Sequence, residues 1–356
     1  MNSAQPPMSY LLVPRMRASA QSLRNPAYWV PLGALVVLMG AFAVSGSMQS
    51  LRGVHWLLIS LAAVFAGLLP VLPRAAFTYG GVTVLLLVGT VILMPFAWLI
   101  CAAFKDKAVL NEYTFLPPPS KVSSETINLG NFRELLATKP TVQGPVNFWQ
   151  YVNNSLLLAS AGTFLSLTFS SMGGYALAKY RFRGRALIAI FMLASLTIPS
   201  AALLAPNFKV IWQLGWMDTF KALLIPGAVS VFGIFLFRQA ILGVPDDILE
   251  AGRIDGCGEF RIYLTLVMPL VRPVIGAFCL ISFLGAWNSF IGPNVFLQSQ
   301  ENLPLPVVLN QYIGEYAQQY GVFLAGTLLA IIPPAILFFA LQREFISGLT
   351  TGAVKQ

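Results

Sequence analysis

VPDDILEAGRIDGCGEFRIYLTLVMPLVRP, residues 244 to 273, is a polar interruption between two long apolar runs, and it holds eight of the chain's few charged side chains. Its chemistry predicts two short helices joined by a turn. Pro245 suits a first helical position, and Asp246 and Asp247 fall in the first turn, where the helix dipole favours anions. Ile248, Ala251 and Ile254 recur at three-residue spacing, which places them on one side of a helix. Gly256 and Gly258 break the pattern. Phe260, Tyr263, Leu264 and Val267 then form a second stripe, expected to stop at Pro269 because proline cannot continue the backbone ladder. The expected product is a compact helical hairpin at a surface, shaped to be gripped by another protein.

The chain around it is built for lipid. Its 356 residues are 57% hydrophobic and 10% charged, with a mean hydropathy of +0.74. No water-soluble core of this size requires that, so the fold class is an all-α polytopic membrane protein. A net charge of +9 raises nucleic acid as a partner, but no basic run with interleaved aromatics sits on a soluble segment. Cys101, Cys257 and Cys279 lack metal-ligand spacing, and His55 stands alone, so neither a metal site nor a disulfide framework is expected.

Taken in order, the apolar runs predict about eight transmembrane helices. Ala27 to Val44 follows a polar start and is longer than an ordinary signal-peptide core, so it reads as a retained first span. Trp56 to Leu72 is the second and Val82 to Phe104 the third. Lys105 to Gln150 is a long polar excursion. Tyr151 to Leu177 follows, opened by the capping residues Asn153, Asn154 and Ser155. Ala186 to Pro206, with a kink expected at Pro199, Phe220 to Leu242, Pro273 to Ile291 and Gly321 to Leu341 complete the set. Pro293 to Tyr320, rich in proline and amides, should be a semi-rigid projection.

The basic residues orient this arrangement. Arg15, Arg17, Arg24, Arg74, Lys179, Arg181, Arg183, Arg185, Arg238, Arg253, Arg261, Arg272, Arg343 and Lys355 all fall on one side, fourteen of the 22 Lys and Arg. The positive-inside rule makes that side cytoplasmic, with both termini inside.

The hairpin carries a resemblance. Glu250-Ala251-Gly252, Gly256 four positions on, and Leu266-x-Met268-Pro269 after nine more residues resemble the EAA loop of importer permeases of the ATP-binding cassette (ABC) type. Gly252, Leu266 and Met268 depart mildly from that pattern. Glycine for alanine costs about 1 kcal/mol of helix propensity, which predicts a looser first helix. Asn153-Asn154-Ser155, Gly173-Gly174-Tyr175-Ala176 before Arg181-Phe182, Leu214-Gly215-x-x-Asp218-Thr219, Trp287-Asn288-x-Phe290 and the tail Gly348 to Lys355 are similar to the sugar-type permeases, of which the second permease subunit of the maltose importer is one. The resemblance runs from about Val82 to the C-terminus.

That resemblance implies a six-helix permease core plus two N-terminal helices, divided as residues 1–78, a permease domain over 79–342 with its coupling loop at 243–272, and a tail at 343–356. It implies a bacterial inner-membrane protein that works with a second permease subunit, an ATPase dimer and an extracytoplasmic solute-binding protein. ATP and Mg belong to the partner subunits, and this chain holds no cofactor. Glu250, Ala251, Gly252, Asp255, Gly256 and Pro269 would form the ATPase-coupling site, and Gln298, Gln300 and Asn302 would contact the receptor. Asn207, Trp287 and Asn288 are candidates for the substrate path through stacking and hydrogen bonding, with packing or interfacial roles as the alternative.

Two rivals remain at this level. An ion-coupled secondary carrier of a small neutral solute usually needs ionisable groups within its spans, and those from Val82 to Leu341 hold almost none. A membrane enzyme would want His, Asp or Glu clustered at membrane depth, and no such cluster stands out in the sequence. The chain also lacks a Gly-x-x-x-x-Gly-Lys-Ser/Thr phosphate loop, so it is not expected to hydrolyse ATP itself.

Overall fold

A computed structural model describes residues 73–141, 144–314 and 318–353. The expected spans Ala27 to Val44 and Trp56 to Leu72 lie outside the described residues. The chain divides into two units, one holding α1 (Pro73–Phe104) up to Cys101 together with Ala108–Ile127, the other Ala102–Lys107 and everything from Asn128 onward. In the first, Lys121 donates to the Tyr113 hydroxyl at 2.8 Å and pairs with Glu112 at 3.5 Å.

The second unit opens with α2 (Gly130–Leu136) and a two-stranded antiparallel ribbon, Lys139–Thr141 (β1) against Gly144–Val146 (β2), with Lys139 opposite Val146. Helices follow: α3 (Phe148–Lys179), α4 (Arg185–Ser195), α5 (Leu204–Gln213), α6 (Val231–Leu242), α7 (Asp246–Ile254), α8 (Glu259–Ile262), α9 (Arg272–Trp287), α10 (Leu305–Gln311), α11 (Tyr320–Ala330) and α12 (Ile332–Ala353). Among the described residues, three stretches are long and apolar enough to cross a membrane, Gly81–Phe104, Phe148–Lys179 and Tyr320–Gln342. Three bent pairs raise that to six if each is one broken span: Arg185–Ser195 with Ser200–Gln213, Pro226–Leu242 with Asp246–Ile254, and Glu259–Leu270 with Arg272–Trp287.

The second unit is organised on α3. Asn147 starts it by accepting the Gln150 amide at 3.1 Å, so the capping residue lies before the expected trio; Asn153, Asn154 and Ser155 sit inside the helix and face other work. One side of α3 is small and buried, with Ser155, Ala159, Thr163, Ser166, Ser170, Gly174 and Ala178 recurring every three or four residues. Small side chains let membrane helices approach at backbone distance, which replaces the hydrophobic drive that lipid cannot supply. A Cβ on Gly174 would meet Phe237 Cβ at 2.6 Å and the Arg238 amide nitrogen at 2.9 Å; one on Gly233 would meet the Phe278 ring at 2.6 Å. Those two glycines therefore set how closely α3, α6 and α9 interlock. Two apolar clusters mark the ends of α3: Phe148 and Tyr151 with Phe283, Trp287, Leu305 and Val308 at one, Tyr175 and Ala178 with Phe237, Ile241, Ile262 and Val267 at the other.

Several sequence expectations change. At Pro199 the helix does not kink but ends at Ser195, and the two halves lie 96° apart, because the residue before a proline leaves the helical region. The described residues of the Pro293 to Tyr320 segment are packed rather than projecting, with Leu303, Leu305, Val307, Val308, Leu309 and Tyr312 buried. The helix α12 runs on to Ala353, through most of the 343–356 tail.

Candidate functional site

The hairpin forms as expected. In α7 the buried residues are Leu249 and Gly252, while Ala251 is exposed and Ile254 is 86% exposed. Of the three apolar residues at three-residue spacing, Ile248 is half-buried against the hairpin's cluster while Ala251 and Ile254 form an outward edge, because Leu249 and Gly252 seat the helix on Ile262 and Leu266. In the second arm Ile262, Tyr263 and Val267 are buried, whereas Phe260 and Leu264 face out.

The turn has a defined geometry. Asp255 ends α7, Gly256 takes φ +79°, the Cys257 amide donates to the Gly252 carbonyl at 2.9 Å and the Gly256 amide to that of Arg253 at 3.0 Å. This paired closure of the last carbonyls needs a left-handed residue just past the helix end, and glycine reaches that region without a Cβ penalty. Glu250 and Asp255 are exposed.

Gly252 lies at the seam between the two arms. A Cβ there would stand 2.8 Å from Leu266 Cδ1 and 3.3 Å from Ile262 Cγ1, so the two departures from the family pattern, Gly252 and Leu266, face each other across the seam. Pro269 does not stop the second arm. Residues Tyr263–Val267 form a π turn in which the Met268 amide donates to the Tyr263 carbonyl, and the helix runs on to Leu270 before turning 85° into α9. The widened turn shifts the hydrogen-bond register just ahead of the residue that has no N–H to donate.

Behind the outward edge, the hairpin is fastened to the end of α3 by residues that sequence reading missed. Lys179, its side chain 7% exposed, donates to the Val244 carbonyl at 2.5 Å and to Asp246 at 2.6 Å. Glu259 accepts from Arg253 Nε at 2.7 Å and from the Tyr180 hydroxyl at 2.6 Å. Tyr175 lies at 3.4 Å from the same carboxylate, and the Tyr263 and Ser171 hydroxyls bond at 2.7 Å. The Arg253 hydrogen bond, followed by that of Tyr180, holds the Glu259 carboxyl at about 2. Lys179 likewise holds Asp246 below the usual carboxylate range. No local signal marks the pairs that tie the hairpin to the end of α3, whose members lie 65 to 92 residues apart.

At the other end of α3, Asn154 donates to the carbonyls of Glu301 and Leu303 at 2.7 and 3.1 Å, Gln150 donates to Glu301 at 3.1 Å, and the Leu305 amide donates to Ser155 at 2.7 Å. Asp218 staples the same segment: its carboxylate accepts the amides of Gln298 and Ser299 at 2.9 and 3.0 Å and the Ser299 hydroxyl. It does so from φ 58°, a left-handed conformation that an aspartate tolerates better than most side chains. Burial alone raises the Asp218 carboxyl, but these donors outweigh it and hold the group low. Of the candidate receptor residues, Gln298 is exposed, Gln300 half-buried, and Asn302 donates to the Asp218 carbonyl at 3.0 Å. Among the path candidates, Asn207 and Asn288 are exposed, while Trp287 is buried, stacked on Phe283, and donates to the Ala330 carbonyl at 3.2 Å. The packing role weighed for Trp287 is the one it fills here.

Residues 170–349, which contain the whole hairpin and the end of α3 that holds it, match the family described as binding-protein-dependent transport system inner membrane component. The chain belongs to this family. It is an integral membrane component of an ABC importer, a transporter part and not itself an enzyme. The arabinooligosaccharides transport system permease protein of Halalkalibacterium halodurans is 36% identical over 73% of this chain and 90% of its own length. The lactose transport system permease protein of Rhizobium radiobacter is 31% identical over 77% of this chain and 94% of its own. Among solved structures, a bacterial ABC transporter involved in the import of the acidic polysaccharide alginate contains a chain with TM-score 0.64 and 25% identity, covering 76% of this chain and 98% of that one.

Proposed function

We propose that this importer permease carries a sugar or polyol across the bacterial inner membrane, driven by an ATPase dimer that grips the 243–272 hairpin and fed by an extracytoplasmic solute-binding protein. The observation that carries the reading is the outward edge of α7. Ala251 and Ile254 present an apolar strip one turn long beside exposed Glu250 and Asp255, with nothing of the described chain covering it. A short amphipathic helix exposing i and i+3 anchors is what a partner's groove takes up. Because that edge is fastened behind by Lys179 and Glu259, a push on it is delivered to the spans instead of being lost in a floppy loop.

In this reading Glu250, Ala251, Gly252, Asp255, Gly256 and Pro269 form the coupling site: Gly256 and Pro269 shape it, Gly252 seats it, and Glu250 and Asp255 meet the partner. Residues 79–342 are a six-span core interrupted by the hairpin, residues 1–78 add two further spans, and 343–356 extend on the cytoplasmic side, where both termini lie. A second permease subunit completes the path, to which Asn207 and Asn288 are open. Gln298 and Gln300 face the receptor. ATP and Mg act in the ATPase subunits. The neutral solute class is supported by the names of the relatives and by the near absence of charge in the spans.

The test is a complex purified through this chain and reconstituted in liposomes. An ATPase should co-purify, and Glu250→Lys should leave insertion intact while import falls at least tenfold. Import at the native rate by an assembled Glu250→Lys complex would refute the coupling role; absence of any ATPase, with uptake following an ion gradient, would favour a secondary carrier.

A further inference from the structure

Each end of α3 is bonded to a different functional surface. It is 32 residues long without a charged residue before Lys179. At 1.5 Å per residue it spans about 48 Å, more than the roughly 30 Å of bilayer hydrocarbon, so its two ends lie on opposite sides of the membrane. At one end Lys179 and Tyr180 hold the hairpin through Val244, Asp246 and Glu259. At the other, Asn154 and Ser155 hold the 301–305 backbone through three hydrogen bonds of 2.7 to 3.1 Å. Between them the helix is unbroken and contains no proline.

We propose that α3 is a strut that transmits displacement of the hairpin to the 296–305 segment across the membrane, with Asn154 and Ser155 as positioning residues at the far end. The inference rests on the importer reading and adds to it the route by which the nucleotide state reaches the outer surface. A straight helix resists compression along its axis, and the close contacts at Gly174 and Gly233 make α3 and α6 move together. The far-end bonds are directional: two carbonyls and one amide of the loop are taken by side chains of two adjacent residues of the helix, so an axial shift of α3 moves the loop backbone or breaks those bonds. Asp218 anchors the neighbouring Gln298 and Ser299 from a separate loop, which gives the segment a fixed point against which α3 can work. Coupling of this kind is reciprocal, so a ligand on the loop must bias the hairpin as strongly as the ATPase biases the loop.

The test is hydrogen exchange on the complex purified through this chain, with and without Mg-ATP plus vanadate. Wild type should show a nucleotide-dependent change in exchange at the amides of 296–305. Asn154→Ala and Ser155→Ala should abolish that change while the ATPase still co-purifies and basal hydrolysis is unaltered, and Ser155→Thr, which keeps the hydroxyl, should restore it. Tyr180→Phe removes one hydroxyl from the near end, at a partly exposed site that does not threaten folding, and should blunt the same change without touching the loop. A full nucleotide response at 296–305 in Asn154→Ala and Tyr180→Phe overturns the strut. No ATPase in the purified wild-type complex overturns the importer reading, and the strut with it.

Discussion

Replacing Gly174 by alanine adds one methyl group at the closest backbone crossing in the membrane unit. The new Cβ would stand 2.6 Å from Phe237 Cβ and 2.9 Å from both the Arg238 amide nitrogen and the Ile234 carbonyl oxygen. Carbon atoms in contact rest near 3.6 Å, so α3 and α6 must separate by about 1 Å, a gap that forfeits a quarter to a half of the dispersion energy along the seam. Two of the three neighbours are backbone and cannot rotate away. Overpacking costs about 3 kcal/mol at such a site and alanine's better helix propensity returns about 1, leaving about 2 kcal/mol of destabilisation. Gly252→Ala is the matched control. Its tightest neighbour is Leu266 Cδ1 at 2.8 Å, the far end of a flexible side chain that can turn aside, so the propensity gain and the packing cost nearly cancel. In a thermal melt of the nanodisc-embedded complex, Gly174→Ala should lower the midpoint by roughly 4 to 8 °C and Gly252→Ala by less than about 2 °C. Equal melting of Gly174→Ala and wild type, or an equal loss in both variants, would refute the argument that the identity of the neighbour decides the cost.

Asp218→Ala should free the amides of Gln298 and Ser299, raising their hydrogen exchange by tenfold or more, since an unpaired buried donor costs about 1 to 3 kcal/mol. The Glu259 carboxyl is held at about 2 against an ordinary 4.5, so its contribution is complete above pH 4.5 and is lost as pH falls from there towards 2. Limited proteolysis of the 256–262 turn should therefore be flat with pH above 5 and accelerate below 4.5, and Glu259→Gln should be cleaved quickly at every pH; a pH-independent wild type would contradict the assignment. Lys179→Met removes the bonds to Val244 and Asp246 together, and should speed cleavage at 243–246 while Lys179→Arg retains most of the protection.

Which parts of this protein the sequence could determine follows from the range of the interactions involved. Composition and the apolar runs were enough for a helical membrane fold, because lipid leaves an isolated segment no other way to pair its backbone. Gly256 marked the hairpin turn, since a left-handed residue after a helix is a local demand, and the spacing from Glu250 to Pro269 was enough to recognise the family. Facing was not legible. The spacing of Ile248, Ala251 and Ile254 does not say which of them is covered; α7 seats on Leu249 and Gly252, a choice made by Ile262 and Leu266 from the other arm. Asn154 and Ser155 looked like caps because polar residues at a helix start usually are; only the fold brought the 301–305 backbone within their reach. Lys179 reads from the sequence only as one of the cytoplasmic basic residues, and its partners Val244 and Asp246 lie 65 and 67 residues away. The period of a pattern is written into neighbouring residues, but which face of that pattern is buried depends on what the rest of the chain lays against it, and that only the tertiary structure decides.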